Sequence, residues 1–150
     1  MRKAIAILAL GSVVGLLAAG CGGGGGPKPL SKADYVKQMT AIGKSLSTSI
    51  GTLGSVTTPS KAATALAKVQ TDLRAAVKRL DAITPPADVK TAHQQLATAV
   101  SEFADELGPV ITKLKAGNLS ALSSVTSLKG LTDIQSAANA ITKAGYKISG

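Results

Sequence analysis

Tryptophan is absent from this 150-residue sequence, and phenylalanine, cysteine and histidine occur once each. Each scarcity excludes something. A single cysteine, Cys21, makes no intramolecular disulfide, so the fold must hold by packing alone. A single histidine, His93, followed by Gln94 and Gln95, rules out the His-Glu-x-x-His spacing of a zinc helix. Tyr35, Phe103 and Tyr146 are the only aromatic residues, too few to stack the bases of a nucleic acid. No nucleophile elbow is present, and a triad, whose members meet only in three dimensions, is not testable by spacing. Acidic side chains are also few, 8 against 17 basic ones, for a formal charge of +9. With one Phe and no Trp, the core has to be built from Leu, Ile, Val and Ala, which makes it thin and brings helices close together.

What is present begins at the amino terminus. Arg2 and Lys3 precede an apolar stretch from Ala4 to Gly20, which ends in Leu17-Ala18-Ala19-Gly20 before Cys21. A charged start, an apolar middle and small residues at a cut are the order of an export signal. The stretch resembles the signal and lipobox of bacterial lipoproteins. That resemblance implies cleavage between Gly20 and Cys21 and a diacylglyceryl group on the Cys21 thiol. Ala18 stands where the family usually has Leu, Val or Ile, with Leu17 one position earlier. Two competing readings are an uncleaved span, for which 17 residues with three glycines are at the short limit, and an ordinary secretory signal with an incidental thiol. The lipoprotein reading places the chain on the extracytoplasmic face of the cell membrane, anchored by two or more acyl chains such as palmitate.

Cleavage would leave one domain's length of chain, with 15 basic and 8 acidic side chains, about +7. Such a charge suits anionic lipid head groups or acidic cell-wall polymers, or an unknown envelope protein, as partner. Export, scattered lysines and missing aromatics argue against nucleic acid. Residues 21–29 read as the lipidated cysteine and a Gly/Pro tether; its eight residues after Cys21 would reach about 15 Å as a flexible chain. The glycine run lacks the ending of a phosphate loop, and Gly43-Lys44-Ser45 lacks the glycine five places earlier, where Gln38 stands.

From residue 30 to 150 the apolar periodicity is helical throughout. Ser31 and Asp34 read as a capping box. Tyr35, Met39, Ile42, Leu46, Ser49, Leu53 and Val56 then step by four and three, giving a first helix to about residue 56. Thr57-Thr58-Pro59-Ser60 reads as a turn. A second helix carries Ala62, Leu66, Val69, Leu73, Ala76, Leu80 and Ile83, and Thr84-Pro85-Pro86 breaks it. Pro86 is placed to open a third helix with Val89, His93, Leu96, Val100, Phe103, Leu107, Val110 and Leu114 on one seam. Gly108-Pro109 should kink it and Gly117 should stop it. Asn118 is expected to cap a short fourth helix that Lys129-Gly130 closes. Leu131, Ile134, Ala138 and Ile141 form a last helix ended by Gly145, beyond which Tyr146 docks or frays. The expected fold is all-α, an elongated antiparallel bundle of three long helices plus a short C-terminal helical hairpin. The stretch from Leu80 to Val89 with Ala92-His93 and Leu96 resembles a phrase of small uncharacterised actinobacterial helical lipoproteins, which implies an exported all-helical domain and no particular activity.

In a bundle of that kind Met39 and His93 sit at similar height facing the core, with Asp81 and Tyr35 at the same end. This end is the candidate ligand site. A Met/His pair inside four helices is also how some cytochromes hold haem, so a small-ligand, metal or haem carrier is the alternative reading. The plainer one makes Met39 core filler and gives the His93 imidazole a hydrogen bond to Asp81 or to a helix-end backbone group. Glu102, Asp105 and Glu106 read as a solvated acidic face. No residue set carries a catalytic mechanism, and neither cofactor nor metal is expected. The resulting expectation is a non-enzymatic, membrane-anchored lipoprotein with a binding or structural role at the cell envelope.

Overall fold

The computed structural model describes residues 27–148; Gly20, Cys21 and the stretch read above as an export signal lie outside them. The described residues contain no strand. Four α-helices pack together: α1 (Lys32–Gly51), α2 (Pro59–Asp81), α3 (Lys90–Lys115) and α4 (Lys129–Lys143). Short 3-10 segments cover Thr52–Ser55, Ala87–Val89 and Leu119–Ser127. None of these helices is long and apolar enough to cross a membrane.

Local chemistry explains most boundaries. The Ser31 hydroxyl accepts from the Asp34 amide (3.2 Å) and donates to the Asp34 carboxylate (2.6 Å), closing the start of α1. Its α-helical part stops at Gly51, earlier than the apolar stepping suggests, and tightens into the 3-10 turn through Ser55. Ser, Thr and Gly in its last turns favour the helix less than the residues before them. The expected turn 57–60 is also shorter: Thr58 caps α2, accepting from the Lys61 amide at 3.4 Å, and Pro59 already occupies the first helical position. Ala87–Val89 is a 3-10 turn, so α3 begins at Lys90, later than Pro86 suggests.

Helix α3 continues through Pro109 to Lys115. Gly117 then takes φ +89°, and the Asn118 amide donates back to the Lys113 carbonyl (3.0 Å), the left-handed glycine stop. The next segment is a nine-residue 3-10 helix, not an α-helix, and Asn118 makes no side-chain cap to its backbone. Gly130 does not close that segment. It lies in the first turn of α4, and a Cβ there would sit 2.5 Å from the Phe103 amide nitrogen. The missing side chain is what lets α4 rest on the α3 backbone.

Helix α3 is the hub, packed against both α2 and α4, while α1 leans mainly on α2. The whole expected seam of α3 is buried, and so are Ala97, Ala99, Ala104 and Ile111, which form further buried surface on the same helix. Every expected seam residue of α2 is buried as well. Leucines 66, 73, 80, 107 and 114 are almost wholly enclosed, and each contributes roughly 1.5–3 kcal/mol relative to exposure. Bridging contacts descend in register. Leu30, just before α1, pairs with Thr84, just after α2, and Ser49 pairs with Asp72 between the two helices. His93 meets Leu80 and Ala104 meets Gln70 between α2 and α3.

Candidate functional site

One end of the molecule collects the start of α1, the end of α2, the start of α3 and the tail after α4. The Leu30 amide donates to the Thr84 carbonyl at 2.9 Å, fastening the entering chain to the exit of α2. At the centre of this end stands His93, 4 % exposed. Its Nε2 lies 3.0 Å from the Leu80 carbonyl oxygen, and its Nδ1 lies 3.0 Å from the Tyr35 hydroxyl. A carbonyl only accepts, so Nε2 carries a proton and donates; in the neutral ring Nδ1 then accepts from the tyrosine. The neutral ring is thereby satisfied at both nitrogens.

Tyr35 is wholly buried, and burial, with the nearby Tyr146 as a second cause, pushes its hydroxyl up to about 12. The Tyr35 ring meets both the imidazole (centroids 5.6 Å apart) and the Tyr146 ring (5.4 Å) edge to face. Tyr146 in turn donates to both oxygens of Asp88, at 2.8 and 3.0 Å, and the Lys32 ammonium stands 4.7 Å above its ring. Burial and this bond to Asp88 also hold the Tyr146 hydroxyl above its ordinary value.

The four candidate residues are therefore only partly a set. Tyr35 and His93 touch. Asp81 is exposed and lines, with His93, Leu80, Lys90 and Gln94, a surface depression of about 270 Å³. It makes no hydrogen bond to the imidazole; of the two partners considered for the ring, the backbone carbonyl of Leu80 takes the place. Met39 is buried in the apolar core one turn beyond Tyr35. Haem or metal ligation through His93 would require breaking one of its two buried hydrogen bonds, so the Met39/His93 pair does not fit that group. Among the described residues no three His, Cys, Asp or Glu side chains gather closely enough to hold a metal ion.

The roles of two participants were not legible beforehand. Tyr146, read as docking or fraying, docks and is buried, but its partners Tyr35 and Asp88 were not visible in the sequence. Glu106, read as part of a solvated face, is half-buried, and its carboxylate accepts from the Gly130 amide at 2.9 Å. It caps α4 from a neighbouring helix, where the helix dipole favours negative charge. Its companions are paired as well. Glu102 lies 3.7 Å from the Lys129 ammonium, which also holds Asp133, and Asp105 lies 3.3 Å from the Arg74 guanidinium. A second depression, about 440 Å³, runs between α3 and α4 and is lined mainly by polar side chains, among them Thr91, Gln95, Thr98 and Glu102.

No protein-family model, curated protein or solved structure matches the chain, and its functional reading rests on its own residues.

Proposed function

We propose that this protein is a membrane-anchored extracytoplasmic lipoprotein with a binding or structural role at the cell envelope, and not an enzyme. The observation that carries the reading is the order of the first 21 residues: Arg2 and Lys3, the apolar run to Gly20, then Cys21. Lipid on Cys21 attaches the chain, the Gly/Pro tether to residue 29 spaces it, and an elongated antiparallel bundle presents its surface. At 1.5 Å per residue, the 26 residues of α3 make a body about 39 Å long. The chemistry of the candidate site agrees with a contact protein. His93, the side chain best suited to proton transfer, is committed at both ring nitrogens to holding the helices together.

Metabolic labelling with a fatty acid tests the reading. The wild-type chain should take up label and fractionate with membranes. Cys21→Ala should take up none, and should be released or keep its signal uncut. Unchanged labelling of Cys21→Ala would overturn the assignment.

A further inference from the structure

Charge is distributed unevenly along the fold. The end that gathers residues 27–37, 78–93 and 141–148 holds eight basic side chains and three acidic ones. Among the described residues, none of these cations forms an ion pair. Two of the three acids already have donors: Asp34 takes the Ser31 hydroxyl and Asp88 takes the Tyr146 hydroxyl. Elsewhere among the described residues seven basic side chains stand against five acidic ones, and the acids are the paired groups. Asp72, Glu102, Asp105 and Asp133 are each paired with a cation of the body, and Glu106 with the α4 amide. The body thus neutralises its own carboxylates and leaves a concentrated positive field at one end.

The chain enters at that same end. Leu30 is fastened to Thr84 there, and only residues 22–29 separate Leu30 from Cys21. Eight residues span at most about 28 Å in any conformation, whereas the opposite end is about 39 Å away along α3. We propose that the basic end, through Lys32, Arg79, Lys90, Lys143 and Lys147, docks on anionic lipid head groups and seats the bundle end-on against the membrane. The inference rests on the lipid-anchor reading above. Attraction to an anionic surface fades over a Debye length of about 8 Å at physiological salt, so only charges kept beside the bilayer profit from it. The entry point of the tether keeps this end there. A soluble wall polymer is not held beside this end by the tether, so the entry point of the chain favours the membrane surface as the partner.

The test uses the full chain, exported and purified from membranes, then placed in two vesicle types. One is phosphatidylcholine alone; the other contains roughly one-third phosphatidylglycerol. Labelling by a water-soluble amine acylating reagent is read lysine by lysine by mass spectrometry. On anionic vesicles Lys32, Lys90, Lys143 and Lys147 should react at least about threefold more slowly than on neutral ones. The difference should vanish at roughly 0.5 M salt, and Lys113 and Lys115 should not change. The exposed combination Lys90→Gln, Lys143→Gln and Lys147→Gln should abolish the slowing at Lys32. Equal rates on both vesicles, slowing at Lys113 and Lys115, or slowing produced by a soluble polyanionic wall polymer and not by vesicles would overturn the proposal. Failure of the anchor is separately visible, because the chain would then leave neutral vesicles altogether. In that case sedimentation of the Cys21→Ala chain with anionic vesicles at low salt supports the basic end, and its remaining in the supernatant overturns it.

Discussion

The hydroxyl of Tyr35 donates to Nδ1 of His93 across 3.0 Å inside the core, joining α1 to α3 over 58 residues of sequence. Since α1 otherwise leans mainly on α2, this bond is the polar link between the first helix and the hub. It also selects the tautomer that lets Nε2 donate to the Leu80 carbonyl, so one hydrogen bond orders three helices.

Removing that hydroxyl should be costly. Tyr35→Phe keeps the ring and its edge contacts but leaves a buried imidazole acceptor without a donor. The expected loss is about 1–3 kcal/mol of unfolding free energy, measured by urea denaturation followed by circular dichroism. A midpoint equal to wild type would show that water or a rearranged ring replaces the bond.

Alkaline stability follows from the raised Tyr35 pKa. Its hydroxyl titrates at about 12 in the folded chain and near 10.0 when unfolded. A raised folded value means that the stabilisation is complete below pH 10 and drains away as pH climbs from about 10 to 12, by about 2–3 kcal/mol at most. Tyr146, shifted in the same direction, adds to the fall. Unfolding free energy measured from pH 8 to 12 should therefore drop, and Tyr35→Phe should flatten the drop. An equally steep fall in Tyr35→Phe would assign the effect to other groups.

Gly130 makes a third test. A methyl group there would lie 2.5 Å from the Phe103 amide nitrogen and 2.7 Å from its Cβ. Neither is the free end of a flexible side chain, so α4 has to move off α3. Gly130→Ala should destabilise by about 1–3 kcal/mol even though alanine favours helices, and thermal unfolding reads the sign. A raised melting temperature would mean that α4 docks otherwise.

The sequence by itself determined the class of fold and most of its core. Stepping by four and three marked Leu66 to Ile83 and Val89 to Leu114, and all of these seam residues are buried, because the periodicity of an apolar stripe is a local property of the chain. The stops at Gly117 and Gly145 were legible for the same reason: both take a positive φ that glycine adopts without strain. The tertiary structure decided what depends on two helices at once. Gly130 looked like a terminator because its partner, the Phe103 backbone, is 27 residues away in sequence. Glu106 looked like solvated charge because the amide it caps belongs to another helix. His93 was open to a ligand, to Asp81 or to a helix-end backbone group until the fold set one nitrogen on the Leu80 carbonyl and the other on Tyr35. Hydrogen bonds and close approaches between elements depend on register and distance, and a linear pattern of apolar residues encodes neither.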